Sequence, residues 1–280
     1  AFEPIACAPR MTAAGPVAGP CRFPDTLDVV LGARGAPFAL VSNFGLFLPR
    51  AEGGFEFICE ESFGARIPDR ISAGGSGQIL VPGSNGLWID PAATGCGFAR
   101  SLSDRFVWDV APDPTTPGRV WALVGERARE LQVSEDGGQT FSVRATFADG
   151  LRLVHLRVAP SDARTLYVSG YADDAPFVVA FSTDGGASFE VIRPAGGFTE
   201  RNRWVEFLGV APDDPQTLYM AQAGSQGNGD EIWRSNDRGR TAKRLLTLIG
   251  TEGKWGFAFG PSPGTVYVAG RALFFQPDVI

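Results

Sequence analysis

The chain has 280 residues, of which 44% are hydrophobic, so it can bury a sizeable core and is not predicted to be disordered. Its formal net charge of −6 argues against a general nucleic-acid-binding protein. No window of about 18 apolar residues occurs, so no transmembrane helix is predicted. The 36 glycines and 21 prolines are spread along the chain, which predicts many short strands joined by turns.

Residues 1–22 are predicted to form a separate amino-terminal segment. The chain opens with AFEPIACAPR, which we interpret as a mature end left by removal of a targeting segment, with a trimmed fragment as the alternative. The four cysteines favour two disulfides in a secreted, periplasmic or cell-surface protein. Three pairings are open; we favour Cys7–Cys21, which would close a Pro/Gly-rich loop, together with Cys59–Cys96. With His155 as the only histidine and no grouped cysteines, we predict no metal site and no cofactor.

Two strand-rich units follow, at residues 38–59 and 78–99. Each reads as strands separated by short turns, and each keeps a glycine followed by an aromatic residue (Gly54 with Phe57, Gly95 with Phe98). A clearer version of the unit recurs later, in phrases such as LVHLRVAPSDARTLYVSG at residues 153–170. Its proline anchors are Pro112, Pro160, Pro212 and Pro261. A repeat period of about 50 residues with strand-like content is typical of propeller blades.

A second phrase recurs within these units, as SEDGGQTF at 134–141, STDGGASF at 182–189 and SNDRGRTA at 235–242. Aspartate readily accepts hydrogen bonds from turn N–H groups, and glycine accepts a positive φ. A calcium loop would need several oxygen ligands closed by a glutamate, which the phrase lacks. We therefore predict a structural role for its members, namely Ser134, Asp136, Gly138, Phe141, Ser182, Asp184, Gly186, Phe189, Ser235, Asp237 and Gly239.

This pattern of serine, aspartate, glycine, hydroxyl residue and aromatic resembles the Asp-box, or BNR repeat. The Asp-box occurs in sialidases, sortilin-type receptors, xyloglucan-degrading glycosidases and photosystem II assembly factors. The third copy departs from it at Ala242, where an aromatic residue is expected. The resemblance implies a β-propeller with these hairpins between the third and fourth strands of a blade, away from the usual binding face. It does not choose a function, because these families do unrelated things.

The predicted fold is therefore all-β, a propeller of four-stranded antiparallel blades occupying residues 23–280 as one domain. Six blades are expected, or seven if the parent chain is longer; either the amino-terminal segment or further chain would complete the last blade. The predicted blade boundaries are 23–62, 63–103, 104–148, 149–197, 198–250 and 251–280.

A basic residue precedes the innermost predicted strand in five units. Clustered guanidinium groups favour carboxylates, phosphates or acidic protein segments. The alternative is that each is a solvated charge paired with a neighbour such as Asp69, Asp104 or Glu200. The candidate binding residues are Arg66, Arg70, Arg105, Arg152, Arg203 and Lys254.

An enzymatic alternative comes from carboxylates in the predicted loops, because a glycosidase needs two of them across a cleft. The candidates are Asp173, Asp174, Asp230 and Glu231. The sequence Arg66-Ile67-Pro68 is similar to the Arg-Ile-Pro of sialidases, but Tyr171 is the only tyrosine in a predicted loop. We therefore predict a secreted or periplasmic, non-catalytic binding or assembly module for a protein or glycan partner, with a partner that carries acidic groups as one option. A glycoside hydrolase, sialidase-like or other, is the alternative.

Overall fold

A computed structural model describes residues 10–12, 15–17, 26–31, 37–42, 45–59, 71–73, 77–95, 97–195, 205–223, 229–248 and 251–272. All named regular elements in these ranges are β-strands. The first two are β1 (Arg10–Thr12) and β2 (Gly15–Val17), which pair only with each other in an antiparallel ribbon.

Five four-stranded antiparallel sheets follow along the chain. The first sheet consists of β3 (Thr26–Leu31), β4 (Pro37–Ser42), β5 (Gly45–Pro49) and β6 (Phe55–Cys59). The second consists of β7 (Ser72–Ala73), β8 (Ile79–Gly83), β9 (Gly86–Asp90) and β10 (Ala99–Ser101). The third consists of β11 (Val107–Pro112), β12 (Val120–Val124), β13 (Glu130–Ser134) and β14 (Ser142–Thr146).

The fourth and fifth sheets repeat the same meander, in which each strand pairs with the next along the chain. The fourth consists of β15 (Leu151–Ala159), β16 (Asp162–Ala172), β17 (Ala175–Ser182) and β18 (Glu190–Ile192). The fifth consists of β19 (Val205–Val210), β20 (Leu218–Gln222), β21 (Asp230–Ser235) and β22 (Lys243–Leu248). This succession of four-stranded antiparallel sheets is a β-propeller architecture.

The prediction of six blades is wrong: the described residues form five. The sixth unit contributes β23 (Thr251–Phe259) and β24 (Val266–Ala272), which make a two-stranded sheet. Within the described ranges, β1 and β2 do not join this sheet, so the amino-terminal segment does not complete it there.

Consecutive sheets pack face to face through separate apolar clusters. Leu123 and Leu131 of the third sheet pack in one cluster with Leu153 and Val168 of the fourth, and another cluster joins the fourth sheet to the fifth. This arrangement explains strands that are apolar on both faces: all five residues of β12, VWALV, are buried. The outermost strands β14 and β22 are mostly exposed.

The first strand of the third, fourth and fifth sheets carries a register shift of one residue, a β-bulge. The shift falls at Trp108, Val154 and Leu208, between residues whose partners are adjacent on the second strand. The residue after each shift is Asp109, His155 or Gly209. Asp109 reaches the fourth sheet, and a Cβ on Gly209 would lie 2.9 Å from the Phe259 ring of the sixth unit.

Candidate functional site

Successive antiparallel strands place alternate connections at opposite ends of each sheet. The turn face is formed by the connections from first to second and from third to fourth strands, including 113–119, 135–141 and 183–189. The loop face is formed by the connections from second to third strands and from one sheet to the next, including 102–106, 125–129, 147–150 and 173–174.

On the turn face, the third sheet's hairpin closes on its own side chains. The Ser134 hydroxyl donates to Asp136 Oδ1 at 2.7 Å and accepts the Gly138 N–H at 2.8 Å. Asp136 then accepts the Thr140 N–H at 2.9 Å and the Thr140 hydroxyl at 2.6 Å. The aspartate therefore has its oxygens directed at donors of its own turn.

The hairpins of the fourth and fifth sheets repeat this network with the same geometry. Asp184 accepts hydroxyl hydrogen bonds from Ser182 at 2.7 Å and Ser188 at 2.6 Å. Asp237 accepts them from Ser235 at 2.7 Å and Thr241 at 2.6 Å. The backbone N–H groups of Gly186 and Gly239 each donate to the turn serine at 2.8 Å.

These hydrogen bonds favour the charged form of each aspartate. The Thr140 hydroxyl, with the Thr140 N–H and Ser134, lowers the pKa of Asp136 to about 2. The Ser188 hydroxyl, followed by Ser182, lowers the pKa of Asp184 well below its ordinary value. Burial opposes ionisation of Asp237, but hydrogen bonds from Thr241 and Ser235 outweigh it, so that its pKa is also lowered.

In all three copies of the turn phrase, the last residue packs against an apolar cluster between neighbouring sheets. Phe141 packs against the cluster between the second and third sheets, and Phe189 packs against the next cluster, with its ring 5.1 Å from that of Phe147. Ala242 packs in the cluster between the fourth and fifth sheets. The departure at Ala242 therefore leaves a smaller side chain in a comparable place.

The second sheet has a comparable turn that the sequence pattern did not reveal. Asp90, the last residue of β9, is fully buried and accepts the Ala92 N–H at 3.1 Å and the Gly95 N–H at 2.6 Å. It occupies the strand-end position of Ser134 while using a carboxylate to hold the turn. An aspartate at a strand end five residues before a glycine was the available signal.

On the loop face, the two candidate arginines that the structure describes fully are ion-paired. Arg105 Nη2 lies 3.0 Å from Glu130 Oε1, and Arg152 Nη2 lies 3.6 Å from Asp173 Oδ1. Arg105 is thus paired across the sheet, not with the adjacent Asp104. Among the other candidates, Arg66, Arg70 and Arg203 lie outside the described residues, and Lys254 is described only in backbone, within β23.

Each of these arginines is accompanied by an exposed aromatic residue, adjacent in the chain for Arg105 and in contact for Arg152. Phe106, directly after Arg105, is 37% exposed, and its ring lies 4.5 Å from that of Trp108. Tyr171 is also 37% exposed, and the Arg152 guanidinium lies 5.9 Å from its ring centroid. Trp108 packs against the apolar cluster that joins the third and fourth sheets, to which the neighbours of Arg152 and Tyr171 also belong. We call these five residues the aromatic–arginine patch.

The described contacts do not join the four candidate glycosidase carboxylates in one cleft. Asp173 pairs with Arg152 at 3.6 Å, and Asp174 pairs with Arg193 at 3.1 Å. Glu231 Oε1 lies 2.8 Å from Arg244 Nη1 in the fifth sheet. Asp230 is fully buried at the start of β21.

The predicted disulfides and the Arg66–Pro68 motif fall outside what the structure describes. Cys7, Cys21 and Cys96 lie beyond the described ranges, and Cys59 is described only in backbone, as the end of β6. Within the described ranges, no group of three or more potential metal ligands comes together. None of the described segments contains a helix with the length and apolar character needed to cross a membrane.

The sequence matches no protein-family profile. Lipoprotein LpqB of Cutibacterium acnes (strain DSM 16379 / KPA171202) is 25% identical over 155 residues, which cover 55% of this chain and 23% of LpqB. The match thus covers less than a quarter of that relative's length.

Solved structures of the same architecture belong to proteins of different kinds. The GH74 xyloglucanase of Xanthomonas campestris has a TM-score of 0.57 at 19% identity, covering 79% of this chain and 38% of its own. YCF48 bound to D1 peptide has a TM-score of 0.55 at 14% identity, covering 84% and 72%. A putative TolB from Agrobacterium tumefaciens has a TM-score of 0.55 at 14% identity, covering 81% and 82%. At these identities the likeness shows the β-propeller fold alone.

Proposed function

We propose that this protein is a non-catalytic binding module of the Asp-box propeller type that acts outside the cytoplasm, in the periplasm or at the cell surface. Its loop face binds an acidic segment of a protein partner. The observation that carries this proposal is the aromatic–arginine patch, in which the Arg152 guanidinium lies over the exposed Tyr171 ring and the exposed Phe106 directly follows Arg105 in the chain.

Such a patch has the composition of binding hot spots. Aromatic residues and arginine are enriched at the centres of protein interfaces, where they contribute most of the binding energy. Arg105 and Arg152 have side chains that are 41% and 43% exposed, so their ion pairs are of the weak, solvated kind. A partner carboxylate can therefore replace Glu130 or Asp173 at little cost and gain a charge-assisted hydrogen bond.

The turn face supports this assignment, because the polar side chains of its repeated phrase are engaged within their own hairpins. The turn aspartates direct their oxygens at donors within their own hairpins, which gives the repeated phrase a structural role. The structurally similar YCF48 is bound to a peptide, which is consistent with a binding role. LpqB is a lipoprotein, which is consistent with a location outside the cytoplasm.

The proposal is tested by capture of partners from an envelope fraction of the native host. The variant Arg105→Glu/Arg152→Glu should recover the specific partner at least tenfold less than the native chain, with the same unfolding temperature. Arg164→Glu is the matched control, because Arg164 is exposed on the turn face and makes no ion pair with any described residue. Equal recovery by the double variant would contradict a role for the patch.

Hydrolysis is the competing function, since a glycoside hydrolase shares the architecture. Incubation of the chain with xyloglucan should release no reducing ends above a heat-treated control. Release that is abolished by Asp173→Asn or Glu231→Gln would replace the binding proposal with a glycosidase, because those residues are among the candidate carboxylates.

A further inference from the structure

A cleft of about 430 Å³ lies on the turn face between the third and fourth sheets. Its volume is within the range of small-molecule sites. Trp121 and Val133 of the third sheet and Ala163 of the fourth form the apolar part of its lining. The cleft lies at the opposite end of the sheets from the aromatic–arginine patch, so it is a separate candidate site.

Three arginines line this cleft, namely Arg119 and Arg144 of the third sheet and Arg164 of the fourth. Arg164 lies in β16, two residues before Leu166, which packs in the apolar cluster shared with the third sheet. Alternate residues of a strand lie on the same face, so the exposed Arg164 side chain is on the face that looks toward the third sheet. The cleft therefore receives positive charge from both of its sheets.

A β-bulge in the outermost strand of the third sheet sets the position of Arg144. The pairing of β13 with β14 shifts register between Leu131 and Gln132, which leaves Arg144 as the extra residue of β14. Bulges commonly re-aim a side chain near a functional site. Arg144 Nε donates to the Gly185 carbonyl of the fourth sheet at 3.0 Å, so the side chain spans the junction and is held there. The pairing of β17 with β18 shows no such shift, and the fourth sheet thus has no equivalent of Arg144.

The two carboxylates that line the cleft are already engaged by the protein. Both Glu135 oxygens accept from Arg119 Nε, at 2.9 and 3.0 Å. The Asp184 oxygens accept the hydroxyl hydrogen bonds of their own turn. Within the described ranges, the Nη groups of Arg144 and the guanidinium of Arg164 have no hydrogen-bond or ion-pair partner. The cleft thus holds two guanidinium groups that no carboxylate of its lining neutralises.

The repeated scaffold does not require these arginines, as the next junction shows. In each sheet, the second-strand residue that pairs with the turn serine gives a common reference position. By this reference, Thr165 stands in place of Arg119 at the junction of the fourth and fifth sheets, and Gln216 stands in place of Arg164. The turn hydrogen bonds there are nevertheless the same. The arginines are therefore additions to the scaffold, as a ligand site would need.

We propose that this cleft binds a phosphate or sulfate monoester of a small apolar group. Arg144 of the third sheet and Arg164 of the fourth contact the anion from the two sides of the junction. A tetrahedral group with three terminal oxygens can accept hydrogen bonds from both sides, whereas a carboxylate has two oxygens in one plane and suits a single guanidinium. The apolar group of the ligand lies against Trp121 and Val133.

The probes for this site are phenyl phosphate and phenyl sulfate, followed by NMR of the isotope-labelled full chain. The Gly185 amide, Arg144 Nε and Trp121 indole resonances should shift in a saturable way with at least one of them. Benzoate should bind at least fivefold more weakly, and benzyl alcohol should cause no saturable shift. Absence of saturable shifts with both monoesters, equal binding of benzoate, or equal affinity at Arg105 and Arg152 on the loop face would each overturn the proposal.

Variants separate a ligand site from a structural role. Arg164→Gln should weaken the probe at least tenfold with the native unfolding temperature, because its guanidinium has no partner to lose among the described residues. Arg144→Gln should weaken the probe to a similar extent. Arg129→Gln is the matched control, since Arg129 is an exposed arginine of the same sheet on the loop face, and it should bind the probe as the native chain does. Native probe binding by Arg164→Gln, or by Arg144→Gln with a lower unfolding temperature, would overturn the proposal.

The site and the loop face can fail independently. The Arg164→Glu chain should lose the probe yet recover the loop-face partner as the native chain does. The Arg105→Glu/Arg152→Glu chain should lose that partner and bind the probe normally. Loss of the probe by this double variant, with its unfolding temperature unchanged, would overturn the assignment of the probe to the cleft.

Discussion

Asp109 and Arg157 form an ion pair that connects the first strands of the third and fourth sheets. Arg157 Nη1 lies 2.8 Å from Asp109 Oδ2, and the Leu156 N–H donates to the same oxygen at 2.9 Å. The Asp109 side chain is 7% exposed. Its other oxygen accepts the Val110 N–H at 2.9 Å, so the buried carboxylate is satisfied from both sheets.

Removal of this buried charge should be strongly destabilising. Asp109→Ala leaves Arg157 and the Leu156 N–H without their acceptor, and the expected loss is about 3–5 kcal/mol in the free energy of unfolding. Urea unfolding followed by circular dichroism measures this loss. Arg129→Ala is the control, because Arg129 and Asp149 form an exposed pair and the loss there should be about 0–1 kcal/mol. Similar losses in both variants would show that the Asp109 pair does not join the sheets.

Tyr167 connects the fourth sheet to the fifth through its hydroxyl. The ring is fully buried, and the hydroxyl donates to the Pro215 carbonyl at 2.5 Å. Tyr167→Phe should lower the free energy of unfolding by about 1–2 kcal/mol, because the carbonyl loses its donor. Tyr267 is 60% exposed, so Tyr267→Phe should leave stability nearly unchanged. A native unfolding midpoint for Tyr167→Phe would contradict this role.

The turn aspartates should make stability depend on acid pH. The pKa of Asp136 is lowered to about 2 in the folded chain, below the ordinary 3.8. Its contribution is therefore complete above about pH 4 and is lost as the pH falls toward 2, where the folded state must take up the proton. The pKa values of Asp184 and Asp237 are lowered in the same direction.

Substitution of all three turn aspartates by asparagine should lower the unfolding temperature at pH 7. It should also flatten the decline of that temperature between pH 4 and pH 2, compared with the native chain. Asp104→Asn serves as the control, because Asp104 makes no ion pair with any described residue. An unchanged pH profile in the triple variant would show that other carboxylates govern acid unfolding.

Two adjacent glycines in the fourth sheet's turn allow the cost of backbone strain to be measured apart from the cost of side-chain crowding. Gly185 and Gly186 have φ values of 71° and 75°, which cost an alanine about 1–2 kcal/mol. A Cβ on Gly185 would meet no atom within 4 Å, whereas one on Gly186 would lie 3.2 Å from Leu131 and 3.3 Å from Trp121. Gly186→Ala should therefore be more destabilising than Gly185→Ala in urea unfolding. Equal effects would show that Leu131 and Trp121 yield without cost.

The repeating sheet is predictable from the sequence because the residues of the turns and the spacing of the repeats indicate the same four-stranded unit. The serine, aspartate and hydroxyl residues of each turn lie within seven positions, so their mutual hydrogen bonds follow from chain proximity. The turn at Asp90 was missed by this pattern, because there a single carboxylate takes the place of both the serine and the aspartate. The predicted number of blades exceeds the observed number because the sequence shows strand-like residues but not their pairing. A blade requires four paired strands, and β23 and β24 pair only with each other in the described part of the chain.

The loop face was less predictable because its partners are distant in sequence. Asp104 is adjacent to Arg105, but it occupies a turn with a φ of 63°, and Arg105 instead pairs with Glu130 at the start of β13. A cleft of about 470 Å³ on the turn face, between the second and third sheets, was also not foreseen from the sequence. Its lining combines residues of neighbouring sheets, such as Gln78 and Asp136, which only packing brings together.

A one-residue β-bulge interrupts the first strand of four sheets, namely the first, third, fourth and fifth. After each bulge the side chains return to alternation. In the third, fourth and fifth sheets the first residue after the bulge is Asp109, His155 or Gly209, which supplies a carboxylate, an imidazole or no side chain, and an aromatic ring of the next unit approaches Gly209. Each junction can thus change its chemical character while the pairing of the strands stays the same.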